Sequence, residues 1–329
     1  MKKVQPLKNG SEADNYLYQG IARPIVDICE TILSHKEVFR PKKIKFYIHQ
    51  NLDVNASAKK MPKSLKNFFS DNHYLIEINQ GAILFIHRTI LDFFHNKNFM
   101  PKVKSEDDVD ISWLSSNLSL YKNIPANRQR IEYAGNITIL SSIIFFYHEM
   151  AHVLRGHLDY IGENYSMSML AMDDEYDLRI NNIIKALEAD ADYQAGEFLG
   201  IMFNREKELF YKVLEINNDL DFFKKATMAA RFSFQLLDNK FKSKKYHLPH
   251  TRFEVFLEGL LNKINIDQDK ALEIATGLFI GMEKACNTFG YRSHRQPAEI
   301  EEDGEQYRSL TAHLLYQLES ELNFYRQKK

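Results

Sequence analysis

The segment Ile143-Ile144-Phe145-Phe146-Tyr147-His148-Glu149-Met150-Ala151-His152-Val153-Leu154 places two histidines and a glutamate inside an otherwise apolar run. The surrounding pattern, Ile137 to His157, reads as one long, largely buried helix. Two histidines four residues apart lie on one helical face about a turn apart, so both imidazoles can reach one metal ion. Glu149, between them in sequence, projects beside such a site. There a carboxylate can take a proton from metal-activated water and return it to a leaving amine.

HExxH fixes only three positions, and chance supplies it in roughly a few per cent of chains this rich in histidine. A catalytic zinc site needs three protein ligands and one open position. Leu187-Glu188-Ala189-Asp190-Ala191-Asp192 offers the missing ligand. Glu188 can bind from a second helix. Asp192, one turn later on the same face, is placed to accept the free N–H of a ligand histidine. The interleaved alanines, and the apolar residues that follow, favour close helix packing over a solvated acidic face.

Composition narrows the remaining classes. The 329 residues are 44% apolar, enough for a sizeable core. With 43 Lys+Arg against 44 Asp+Glu, no global field draws the chain to nucleic acid or an anionic membrane. Cys29 and Cys286 stand far apart, outside any disulfide framework or thiolate zinc site. The N-terminus turns polar at once, and the apolar run Ile137 to Tyr147 is too short and too broken by Thr138, Ser141 and Ser142 to span a bilayer, so a cytoplasmic protein is expected. Gly-rich phosphate loops and GxSxG elbows are lacking.

The expected fold class is α+β, with a small N-terminal mixed sheet and a mostly helical remainder. An amphipathic helix is expected over 13–35 and a strand over Lys43 to His49. Tyr74 to Ile78 and Ala82 to Ile86 read as a strand pair turning at Asn79-Gln80-Gly81. A loop or flap with a short helix around Trp113 follows over 101–130. Further helices are expected at Asp177 to Gly200, 203–240, 252–290 and 306–326, with a solvated charged segment from Arg292 to Glu305. Met167 to Asp174 is open between a lid and an ordinary helix. This divides the chain into an N-terminal α+β region, 1–130, and a helical metal-binding and C-terminal region, 131–329, within one continuous catalytic unit.

HExxH followed by Glu188, Ala191 and Asp192 resembles the gluzincin (zincin) pattern of the HtpX and CAAX-prenyl-protease type, and that of the phage-exclusion Lit peptidases. The resemblance covers motifs within 43–260 and implies a zincin-like fold and peptide-bond hydrolysis with zinc. It makes His157 a neighbour of the site rather than a ligand. Asn55-Ala56-Ser57-Ala58 resembles the segment preceding the substrate-side strand, which implies that Tyr74, Ile76 and Ile78, or the neighbouring strand, form the edge along which an extended peptide pairs. Tyr246-His247-Leu248-Pro249-His250-Thr251-Arg252 is similar to the families' His/Pro segment. It implies Arg252 as an oxyanion-steadying cation, with His247 and His250 as alternatives for the assisting imidazole. Without the membrane helices of the first two families, the Lit-like reading implies a triggered defence-type protease that acts on a protein substrate and answers to a regulatory protein partner. The alternatives are a partner-regulated toxin, defence or binding module that keeps the metal without general proteolysis, and a metal-free coincidence of motif.

Overall fold

The computed structural model describes residues 4–7, 9–35, 42–61, 73–96, 98–100, 119–121, 123–125, 127–165, 178–240, 246–288 and 297–327. The short helix around Trp113 and the Met167 to Asp174 segment lie outside the described residues, as do Arg292 to His294.

Helix α1 (Glu12–Ser34) opens with a capping box in which the Ser11 hydroxyl accepts from the Asp14 amide. Three strands follow: β1 (Lys43–His49), β2 (Ala56–Lys60) and β3 (His73–Asn79). The order is β1-β3-β2, with β1 parallel and β2 antiparallel to β3. Alternation along the strands turns Phe46, Tyr74, Ile76 and Ile78 into the core.

The second predicted strand of the expected pair is helical. β3 ends at Asn79 and α2 (Gln80–His95) begins at once. Ala82, Ile83, Ile86, Ile90, Phe93 and Phe94 repeat at helical spacing and are all buried, so the helical period wins over the short apolar run seen alone. Asn79-Gln80-Gly81 is a strand-to-helix joint, not a hairpin turn.

Helix α3 (Arg128–Leu154) runs through the centre of the molecule and packs on α1, α2 and the sheet. It is long and apolar enough to cross a membrane, yet 89% of its apolar window is buried inside the protein. Its buried hydroxyls Thr138 and Ser142 donate to carbonyls one turn back, and Ser141 donates to Ala229 O of a neighbouring helix. Phe146 meets Phe46 of the sheet edge-on at 5.2 Å. The helix ends at Leu154 rather than His157, because Gly156 adopts φ 83°. That left-handed residue breaks the helix, and α4 (His157–Asn164) starts immediately afterwards.

Helix α5 (Leu178–Arg205) crosses α3, and α6 (Lys207–Leu214), α7 (Asp219–Lys240), α8 (Pro249–Lys263) and α9 (Gln268–Thr288) complete the helical body. The expected 203–240 helix is split by Glu215 in the left-handed region. The α5–α8 contact is very close. A Cβ at Gly196 would lie 2.1 Å from Phe256 O, and one at Gly259 would lie 2.1 Å from Tyr193 O. Small residues at this crossing let two backbones meet, as the alanine-rich sequence suggested. Helix α10 (Pro297–Gln306), a π-helical turn (Tyr307–Thr311) and α11 (Ala312–Gln327) close the chain. A separate apolar cluster of Tyr160, Ile183, Leu187, Leu318, Leu322 and Tyr325 docks α11 onto α4 and α5.

Candidate metal centre

Helix α3 presents His148 and His152, and α5 presents Glu188 against them. One ligand atom from each lies within 4.8 Å of the other two. The two Nε2 atoms are 3.2 Å apart, and Glu188 Oε2 is 3.1 Å from His148 Nε2.

The surrounding hydrogen bonds fix which ring nitrogens carry protons. His148 Nδ1 sits 2.8 Å from Asp192 Oδ1, and a buried carboxylate flanked by cations can only accept. Nδ1 therefore carries a proton, and when the ring is neutral the Nε2 lone pair faces the cluster. His152 Nδ1 sits 3.0 Å from His157 Nδ1, while His157 Nε2 sits 3.0 Å from Asp190 Oδ2. His157 donates to Asp190, so its Nδ1 accepts from His152 and leaves His152 Nε2 bare as well. Nε2 of both imidazoles and a carboxylate thus converge on one point, an arrangement that could hold a metal ion once His148 Nε2 gives up its proton.

Each aspartate is held in turn by a bidentate arginine. Arg252 places Nε 2.7 Å and Nη2 2.9 Å from Asp192, and Arg155 places Nε 2.6 Å and Nη2 3.0 Å from Asp190. Arg155 also reaches Glu319 of α11 at 3.2 Å, and Glu319 takes Arg326 at 2.7 Å. Electrostatics follow this geometry. Burial opposes a charge on His148, but Asp192 and then Glu188 outweigh it and lift its pKa to about 10 when no cation is bound. Burial drives His152 down to about 3. Burial also disfavours the Glu188 charge, yet His152 and His148 hold its carboxyl at about 2.

Glu149 lies beside the cluster, with the Ala58 backbone N–H near enough to favour its charged form. Burial, with help from Glu188, raises it to about 7 against the pull of His148, Ala58 and Arg252. The contact puts β2 alongside the site. Asn55 O accepts from Asn79 N, and Met61 N donates to His73 O, so odd-numbered residues of this stretch pair with β3. Ala56, Ala58 and Lys60 therefore turn their backbone N–H and C=O groups away from β3. Among the described residues β2 has a free edge beside the metal centre. β3 is central, with both backbone edges paired, so Tyr74, Ile76 and Ile78 cannot accept a peptide strand. Asn55 is committed to the ladder, and Ala56 is open.

The His/Pro segment divides. Arg252 reaches the centre, but its Nε and Nη2 clamp Asp192. His247 is not turned to the metal cluster: Nδ1 meets Asp303 at 3.0 Å and Nε2 meets Thr311 Oγ1 at 2.9 Å, which ties α8 to the C-terminal helices. His250 pairs with Glu254 at 3.1 Å and lies against Phe279.

Sequence reasoning assigned no role to Tyr246 or Asp190. The Tyr246 ring covers the Arg252 guanidinium at 5.1 Å. Its hydroxyl pKa is pushed up by the Glu188 charge, then by burial, with Glu149 contributing. Its signal was its position directly before His247. Asp190 was visible in the Glu-Ala-Asp-Ala-Asp run, but its role depends on the turn at Gly156 that brings His157 back towards His152. Comparison of the chain with family models, with curated proteins and with solved structures finds no match in any of the three.

Proposed function

We propose that the protein is a zinc-dependent endopeptidase of zincin-like fold that binds an extended protein segment along β2 and hydrolyses one of its peptide bonds. One observation carries the reading. His148 Nε2, His152 Nε2 and the Glu188 carboxylate converge, with both Nδ1 atoms engaged behind them, next to a buried glutamate and a free strand edge.

Zinc held by His148, His152 and Glu188 would supply Lewis acidity to the attacking water and to the scissile carbonyl. Glu149 accepts the proton of the water and returns it to the departing nitrogen. The outward N–H and C=O groups of Ala56 and the outward C=O of Ala58 hold the substrate backbone in line with Glu149. Tyr246, on the open side of Arg252, is the residue best placed to donate to the oxygen that becomes negative. Asp192 and Arg252 keep His148 in its binding tautomer, and Asp190 with His157 does so for His152.

The test is elemental mass spectrometry of purified wild type, His148→Ala and Glu188→Ala, paired with hydrolysis of a quenched peptide library by wild type and Glu149→Gln. About one zinc per chain in wild type and none in His148→Ala or Glu188→Ala, with cleavage lost in Glu149→Gln while its zinc is kept, supports the reading. Zinc-free wild type, or cleavage unaffected by Glu149→Gln, overturns it.

A further inference from the structure

Beyond the metal centre, the structure holds a second charged cluster at the far end of the free strand edge. Asp159 of α4 accepts from Lys42 Nζ at 2.9 Å, from Lys60 Nζ at 2.6 Å and from Tyr74 Oη at 2.7 Å. Both ammonium groups lie over the Tyr74 ring, at 5.0 and 5.9 Å. The Lys42 and Asp159 side chains are 2% and 3% exposed, whereas that of Lys60 is 42% exposed.

Two cations share one carboxylate, so the cluster carries an excess positive charge, and its open member is Lys60. An ammonium group has three donors. Among the described residues Lys60 donates to Asp159 alone, and Lys42 with Tyr74 would still satisfy Asp159 if Lys60 turned outward. Lys59, on the opposite face of β2, is paired with Glu77.

Resting on the peptidase reading, we propose that Lys60, backed by Asp159, Lys42 and Tyr74, forms a subsite for an acidic side chain of the substrate. Residues opposite each other on neighbouring strands share a face, so a substrate residue level with Lys60 points its side chain at this ammonium. Ala58 marks the level of Glu149, and Lys60 lies two residues, about 7 Å, further along β2. A peptide running antiparallel to β2, the more stable pairing, places its acidic residue two or three positions before the scissile bond.

The experiment uses capped eight-residue Ala/Val peptides carrying a single Glu, or Gln, at each position in turn. Binding is measured by competition against a fluorescent peptide on the zinc-loaded Glu149→Gln protein, and cleavage positions are mapped with wild type by mass spectrometry. One Glu position, mapping before the cleaved bond, should bind about tenfold tighter than its Gln twin, as expected for one charge-assisted contact. Lys60→Met should abolish that gap, while Lys60→Arg and Lys59→Met should keep it. A gap at no position, a gap surviving Lys60→Met, or one mapping after the cleaved bond overturns the subsite. Absence of cleavage with a Lys60-dependent gap intact would instead sink the peptidase reading and leave the subsite standing.

Discussion

The Nδ1 atoms of His152 and His157 face each other at 3.0 Å, so one imidazole stands behind another where a carboxylate stands behind His148. The two metal-facing histidines are thus supported differently: His148 directly by Asp192, His152 through His157 to Asp190. Replacing His157 by Ala removes the acceptor that keeps the proton on Nδ1 of His152. Zinc affinity, measured by competition with a chromophoric chelator, should fall about 10- to 100-fold. Asn, whose carbonyl can accept the same proton, should recover part of the loss. Unchanged affinity in the Ala variant would show that His157 only fills space.

Asp192→Asn strikes the other support and also strands the buried Arg252 guanidinium. Removing one partner of a buried ion pair costs about 3–5 kcal/mol, so this variant should melt well below wild type even when both are zinc-free. A calorimetric scan with chelator present separates this packing effect from metal loss. An Asp192→Asn protein that melts with wild type under chelator would contradict the role given to Arg252.

Gly196→Ala tests how the third ligand is positioned. The added methyl would collide with the Phe256 carbonyl, and backbone, unlike a flexible side chain, cannot swing aside. Overpacking of this kind costs about 1–3 kcal/mol or more. Because Glu188 and Gly196 share α5, the forced separation of α5 and α8 should also weaken zinc binding. Gly162→Ala, where open space surrounds the added carbon, is the control and should leave affinity unchanged in the same chelator competition.

His87 gives a pH prediction independent of the metal. Its ring is buried, with Nδ1 3.0 Å from Tyr121 Oη and, among the described residues, Nε2 without a hydrogen-bond partner. Burial lowers its pKa to about 3. The unfolded chain binds a proton near pH 6.5 that the folded chain refuses until about pH 3, so stability falls as pH drops through that window. The contribution is at most about 1.4 kcal/mol per pH unit. Urea titrations from pH 7 to 4 should show a shallower decline for His87→Met than for wild type. Parallel slopes would assign the acid sensitivity to other groups.

How much of this was legible depended on whether a signal was local. His148, Glu149, His152, Glu188 and Asp192 were readable because helical spacing alone decides which residues share a face, and β1 was readable from its alternation. Ala82 to Ile86 was misread because five apolar residues fit a strand as well as a helix, and only their continuation to Phe94 settles the period. The two supports differ in the same way: Asp192 sits one helical turn from Glu188, whereas His157 and Asp190 meet only because Gly156 folds the chain back. His247 was singled out for its neighbours in sequence, but Asp303 and Thr311, more than fifty residues later, claim both its nitrogens. Tyr246 needed the α7–α8 arrangement, which no short-range pattern encodes.

The ion chain from Asp190 through Arg155 to Glu319 and Arg326 has a consequence for the order of events during synthesis. The HExxH helix and the Glu188 helix leave the ribosome more than a hundred residues before α11 does. Until α11 docks, Arg155 lacks its outer carboxylate, and the cluster of Tyr160, Leu187 and Tyr325 is open to water. A nascent chain therefore carries His148, His152 and Glu188 while their scaffold is incomplete, and the outer half of the ion chain closes only once α11 has been made.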